Sequence, residues 1–246
     1  SYPDWILEAL RRDLGDDTAI AALESMNEPA EVHTRTDGYV QDPASQMVAE
    51  VVAGLLPAES RIVDLCAAPG GKATAMSRAP GAWVAAADVS AKRAGLIAGN
   101  VGAVSAPDVS VVVSDATVPA FRPGAADAVL LDAPCSGLGV LRRRPDARWR
   151  ITADAPDRLA TLQRQMVDAS VPLVAPGGLF AYSVCTLTAQ ETIGVDEHIR
   201  SAHPQLEPLH SLGEPWRDWG RGSILLPQTA GTDGMALFLY RTAVNT

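Results

Sequence analysis

The sequence predicts an α/β fold, a mostly parallel sheet with helices on both faces, and three observations carry that reading. From Arg61 onward, short apolar runs alternate with amphipathic or alanine-rich stretches, as strands alternate with crossover helices. An acid or a cysteine follows each of five successive runs, at the strand ends where open parallel sheets gather their ligands. A chain of 246 residues with 47% hydrophobic content can bury one large core.

Taken in order, Tyr2 to Glu28 reads as one or two helices, because Trp5, Ile6, Leu10 and Leu14 recur at roughly helical spacing. Glu31 to Gly38 is polar and patternless, and the change of character divides the chain into an amino-terminal helical segment, 1–38, and a large domain, 39–246. A helix over Ser45 to Leu56 precedes the first strand. The expected strands are Arg61 to Leu65, Trp83 to Asp88, Val109 to Ser114, Ala128 to Leu131 and Leu179 to Ser183. Helices are expected over Lys72 to Ser77, Ala91 to Asn100 and Asp157 to Val171. Gly177-Gly178 should turn the chain into the fifth strand, and Met235 to Arg241 should add a last strand at the sheet edge.

The net charge of −9 argues against a surface coated in basic groups for nonspecific nucleic-acid binding. It leaves room for a local basic site: Arg142, Arg143, Arg144, Arg148 and Arg150 form the densest positive cluster, with Trp149 inside it. On charge alone such a cluster is a solvated loop. Cys66, Cys135 and Cys185 are odd in number, far apart and without a Cys-x-x-Cys pair, which fits neither a disulfide framework nor a zinc site. No run of about eighteen apolar residues occurs, and the first residues lack signal-peptide character. The expectation is a soluble protein of the reducing cytoplasm, with no membrane partner and a monomeric state.

The stretch Asp64-Leu65-Cys66-Ala67-Ala68-Pro69-Gly70-Gly71-Lys72 joins a strand to a helix, and its small residues let backbone amides approach a ligand closely. It lacks both the dinucleotide glycine spacing and the P-loop pattern. Asp88 is placed to accept from ribose hydroxyls, and Asp115 to meet an adenine amino group. A single acid at a strand end is ordinarily a helix cap, but five coincidences in a row point to a nucleoside cofactor. The four histidines show no ligand spacing and read as ordinary surface or core residues. Trp216 and Trp219 read as packing groups.

Together these segments resemble the RNA 5-methylcytosine methyltransferases of the Sun/Fmu/Nop2 family, especially the bacterial 16S ribosomal RNA members. The resemblance covers roughly Gln41 to Arg241. It rests on Gln41-Asp-Pro-Ala-Ser-Gln, the Cys66 to Lys72 loop, Asp88 with Arg93, Asp115, Asp132-Ala-Pro-Cys135, Arg143-Arg-Pro-Asp-Ala-Arg-Trp149, Ser183-Val-Cys185-Thr, and Leu226-Pro-Gln followed by Thr232-Asp-Gly. It implies a Rossmann-like class I methyltransferase fold with a seven-stranded sheet, S-adenosylmethionine as cofactor and RNA as partner. It further implies that Cys185 is the nucleophile, that Cys135 assists release, that Asp132 binds the cytosine edge, and that Lys72 orients Asp132. Cofactor contacts fall to Cys66, Ala67, Ala68, Pro69, Gly70, Gly71, Lys72, Asp88, Arg93, Asp115 and Asp132. The five arginines would hold RNA phosphates near the mouth of the site.

A lone cysteine is by default a buried small hydrophobe, and the thiol of Cys66 is read so. Cys135 and Cys185 each follow a separate strand within a full motif and are read as functional. Family members carry a ferredoxin-like RNA-binding subdomain where this chain has only Glu31 to Val40: either the helical segment is its remnant, or residues are missing between Ala30 and Tyr39, where the sequence reads like a join between fragments. Relatives often carry a NusB-like domain before it. Rival readings are a transfer RNA cytosine methyltransferase, a DNA enzyme using Cys135, and a non-catalytic cofactor-binding assembly factor.

Overall fold

The computed structural model describes residues 1–209 and 211–244; His210 lies outside the described residues. Two helices, α1 (Asp4–Leu14) and α2 (Asp16–Ser25), meet at Gly15. The next helix, α3 (Pro43–Gly54), starts on Asp42, whose carboxylate accepts from the Ala44 amide at 2.8 Å. Pro43 stands at the first helical position, where a missing N–H costs nothing. The α/β succession follows: β1 (Arg61–Asp64), α4 (Gly71–Met76), β2 (Trp83–Asp88), α5 (Ala91–Ala103), β3 (Val109–Val113), β4 (Ala126–Asp132), α6 (Ala155–Ser170) and β5 (Val174–Val184). Then come α7 (Ile193–Ala202), β6 (Leu206–Pro208), β7 (Arg217–Trp219), β8 (Gly222–Leu225), α8 (Pro227–Ala230) and β9 (Met235–Thr242).

Among the described residues one sheet contains all nine strands: eight follow the order β3-β2-β1-β4-β5-β9-β8-β7, and β6 pairs with β9 beside that path. The first five run parallel, so strand order reverses between β1 and β4 and opens a crevice at their carboxyl ends. The strands read as continuous apolar runs because both faces are covered. On β4, Val129 and Leu131 join one hydrophobic cluster with α6 and α7, while Ala128 and Leu130 join the other with α3, α4 and α5. That alternation follows from the two-residue period of a strand.

The fold is the Rossmann-like α/β class expected, with differences in detail. The sheet has nine strands where seven were expected, because the three-residue strands β6 and β7 are too short to leave a periodic signal. Strand β9 is interior: β5 pairs with one edge, antiparallel, and β8 and β6 share the other. Gly177-Gly178 falls inside β5, where Ala126 pairs with Val174 but Ala128 with Leu179, so the extra residues bulge out. A Cβ on Gly178 would lie 2.8 Å from the Ala175 carbonyl and 2.9 Å from that of Asp127, which requires glycine there.

Residues 31–40 are also more ordered than their composition suggests. Thr34 bridges Val40 antiparallel, and Arg35 reaches the Gly71 carbonyl at 2.7 Å and Thr74 Oγ1 at 3.1 Å. The amino-terminal helices pack into the main core: Ile6, Leu10, Ala19, Ala22, Leu23 and Met26 belong to the same cluster as Val129, Phe180 and Phe238.

Candidate active site

The carboxyl ends of β1, β2, β4 and β5 open onto one cleft of about 930 Å³. Each strand delivers a polar group to it: Asp64 closes β1, Asp88 closes β2, Asp132 closes β4, and Cys185 follows β5 directly. Asp132 and Ser183 are register partners across β4 and β5, so the loops carrying the two cysteines leave the sheet side by side. Those loops stay in contact through the Gly139 amide, which donates to the Cys185 carbonyl at 3.0 Å. A Cβ on Gly139 would sit 2.4 Å from the Gly234 carbonyl, so only glycine permits this approach.

Cys135 Sγ and Cys185 Sγ lie 3.3 Å apart, each partly exposed to the cleft. The shared hydrogen bond splits the pair: it lowers the Cys185 pKa below the ordinary thiol value and raises that of Cys135 well above it. Burial and the charge of Asp132 work against the Cys185 thiolate, and the ammonium of Lys72 works for it. The hydrogen bond to Cys135 and the nearby Lys72 ammonium thus both favour the thiolate form at Cys185. Lys72 Nζ donates to Asp132 Oδ2 at 2.7 Å. Burial pulls the lysine's pKa down, and Asp132 more than offsets it, so the group stays cationic.

On the other side of the cleft, Asp64 is fully buried and neither carboxylate oxygen has a hydrogen-bond partner among the described residues. Desolvation, aided by the charge of Asp132, pushes its pKa up to about 8. Asp88 is 2% exposed; it accepts from the Ser90 amide at 3.0 Å and pairs with Arg93 at 3.2 Å. Burial raises the Cys66 thiol, which therefore stays protonated. The wall includes Cys66, Ala67, Ala68, Pro69, Gly71, Lys72 and Arg93. Gly70 lies behind it with its φ of 110° packed on Ile97. Asp115 is exposed and holds Thr117 through the amide and hydroxyl, with its neighbour Ala116 reaching the cleft instead.

The arginine cluster divides, which corrects the expectation of one phosphate-holding group. Arg142 and Arg143 each bridge Asp42 and Asp233 at 2.6 to 3.0 Å, joining three motifs distant in sequence. The Arg142 side chain is only 7% exposed, so its charge is spent internally. Arg148 is buried, donates to Asn27 Oδ1 and the Ser1 carbonyl, and lies over the Tyr2 ring. Its donors face the amino-terminal helices. Arg144 and Arg150 remain exposed at the cleft rim, beside exposed Trp149.

Several site residues escaped sequence reasoning. Arg35 and Asn100 anchor the cofactor loop through the carbonyls of Gly71 and Pro69. Glu191, Gln163 and Tyr182 form a buried polar network behind the cysteines. His198 and His203, read as ordinary, converge on Asp168 Oδ1 at 2.7 Å each, away from the cleft. No helix among the described residues is long and apolar enough to cross a membrane.

Known proteins resemble this chain in sequence and in fold. The Ribosomal RNA small subunit methyltransferase B of Thermus thermophilus is 33% identical over 95% of this chain and 63% of its own length. The solved structure of NSun6 from Pyrococcus horikoshii with SFG superposes with a TM-score of 0.73 at 26% identity, covering 84% of this chain and 53% of that one. A methyltransferase homolog protein from Pyrococcus horikoshii shares the fold across 98% of this chain and 96% of its own, with a TM-score of 0.79 at 18% identity. The chain spans between about half and two thirds of the curated relatives it matches most fully. The model of the 16S rRNA methyltransferase RsmB/F family matches residues 53–240. With that match embracing both cysteine loops and the cofactor loop, the chain belongs to the RsmB/F family of RNA methyltransferases.

Proposed function

We propose that this protein methylates carbon 5 of a cytosine in small-subunit ribosomal RNA, through a transient bond from Cys185 to the ring. The observation that carries the reading is the sulfur pair, 3.3 Å apart in the same cleft as the cofactor loop and the Lys72–Asp132 ion pair.

S-adenosylmethionine supplies an electrophilic methyl group when bound, and the residues present fit it. Asp88 offers a carboxylate to ribose hydroxyls, and Asp64, whose carboxyl has no hydrogen-bond partner among the described residues, would be drawn toward its ionised, accepting form by a donor-rich, cationic ligand. The small side chains from Ala67 to Gly71 leave room for a nucleoside.

Carbon 5 of cytosine is a poor nucleophile. Addition of the Cys185 thiolate to carbon 6 pushes an electron pair into the ring and makes carbon 5 able to attack a methyl group. Asp132, fixed by Lys72, accepts from the exocyclic amine of the base and holds its edge. A base then takes the proton from carbon 5, its electron pair restores the ring double bond, and the sulfur departs, assisted by Cys135 beside it. The target must be unpaired or flipped to enter the cleft. Arg144 and Arg150 hold phosphates at the rim.

RNA carrying 5-fluorocytosine tests this, because fluorine cannot leave as a proton does and the covalent complex persists. The expected result is an adduct with the native protein and with Cys135→Ala, and none with Cys185→Ala. Adduct formation by Cys185→Ala would overturn the assignment.

A further inference from the structure

The most connected buried acid in the molecule takes no part in the chemistry above. Glu191 lies between β5 and α7 with no solvent exposure. Its Oε1 accepts from the Ser136 amide at 2.8 Å and Gln163 Nε2 at 3.1 Å. Its Oε2 accepts from Ser136 Oγ at 2.5 Å, Thr188 Oγ1 at 2.9 Å and Thr186 Oγ1 at 3.3 Å. A buried carboxylate is expensive unless its lone pairs are filled, and here they are filled by groups from two loops and from α6.

The identity of those groups carries the inference. Ser136 follows Cys135, and Thr186 follows Cys185; their hydroxyls also meet each other at 2.8 Å. Gln163 extends the network from α6 to the Pro134 carbonyl at 2.9 Å, and Tyr182 donates to the Glu191 carbonyl at 2.7 Å. The residues on both sides of Cys135 and the residue after Cys185 are therefore tied to one side chain. The sulfurs share one contact, at 3.3 Å, and a thiol is a weak donor, so their spacing depends on what holds the two loops.

We propose that Glu191 is a positioning residue that clamps the two cysteine loops together and so sets the distance between the sulfurs. This rests on the reading of Cys185 as nucleophile. The clamp keeps Cys135 close enough to donate to Cys185, the largest cause of the thiolate's stabilisation. The other groups acting on the sulfurs are Lys72, Asp132 and Asp233 around Cys185, and the Glu191 charge itself beside Cys135.

Two substitutions separate geometry from charge. In Glu191→Gln the carbonyl can still accept from the Ser136 amide and Gln163, while the new amide faces three hydroxyls able to turn and accept. Glu191→Ala removes the clamp. The probe is iodoacetamide, with alkylation of Cys185 followed against pH by peptide mapping of the full chain, beside S-adenosylmethionine affinity. Glu191→Ala should raise the Cys185 ionisation midpoint by about one pH unit, leave cofactor affinity within about twofold, and slow adduct formation about tenfold. Glu191→Gln should not raise the midpoint. Should Glu191→Ala fail to fold, Ser136→Ala cuts the same clamp from the other end and should shift the midpoint in the same direction. An unmoved midpoint in the clamp-cutting variants, or an equal rise in Glu191→Gln, overturns the proposal. The alkylation assay contains no RNA: if the midpoint moves as expected while native protein forms no adduct with 5-fluorocytosine RNA, the clamp stands and the nucleophile assignment falls.

Discussion

At the scale of single residues, Asp64 is fully buried at the end of β1, and burial holds its carboxyl protonated up to about pH 8. Its place at a strand end follows from the apolar run before it, but its full burial depends on neighbours distant in sequence. In the unfolded chain it ionises near pH 4; in the folded protein, near pH 8. Between those values folding takes up a proton. The raised pKa therefore contributes stability that is whole below about pH 4, declines through the window, and is gone above about pH 8. Asp64→Asn has no proton to lose, so its unfolding free energy relative to the native protein should improve steadily from pH 4 to pH 8. Urea unfolding at a series of pH values measures the difference, and parallel pH slopes for the two proteins would return Asp64 to an ordinary carboxylate. That Cys185, Cys135, Lys72 and Asp132 belong together was readable because each sits in a motif, and the fold brings all four to one cleft; Glu191 was not readable, since nothing local marks an acid whose five donors come from positions 136, 163, 186 and 188.

At the scale of elements, the five parallel strands and their helices were legible because their apolar runs and amphipathic stretches have the right lengths. The short strands β6, β7 and β8 were not, since three or four residues carry no period, and α7 follows a loop rich in threonine. The arginine cluster failed for a different reason: local sequence shows charges but not their partners. Asp42 caps α3 and Asp233 precedes β9, and the fold delivers both to Arg142 and Arg143. This four-charge joint fixes the entry to α3, the loop after β4 and the approach to β9 as one frame around the cleft. Removing one partner leaves buried carboxylate charge uncompensated, so Arg142→Ala should cost ~3–5 kcal/mol of unfolding free energy. Equilibrium denaturation would show it as a lower midpoint with little change in slope, and a loss below ~1 kcal/mol would mean that water reaches the joint and replaces the guanidinium.

At the scale of the whole molecule, the division at residue 38 describes composition better than packing. Ile6, Leu10 and Met26 share a core with the sheet, and Arg148 ties the loop after β4 to Asn27 and Ser1, so the amino-terminal helices brace the same loop that frames the cleft mouth. On the proposed function, the net charge of −9 sets the remaining problem, since the long-range field repels a polyanion such as RNA. Attraction must come from charges that are both exposed and at the rim, and of the five clustered arginines only Arg144 and Arg150 are exposed there. Arg150 is paired with Asp146, but both side chains are largely exposed, and such a pair is weak enough to yield to a phosphate. Each phosphate contact with single-stranded RNA adds about 0.7 to the slope of log affinity against log salt. Replacing Arg144 and Arg150 together by alanine should therefore weaken RNA binding and reduce that slope by about 1.4, with cofactor affinity unchanged. Filter binding across a salt series reads both quantities. If affinity fell but the slope did not, the arginines would be acting through loop shape rather than charge, and if neither moved, RNA would have to approach the cleft from another side.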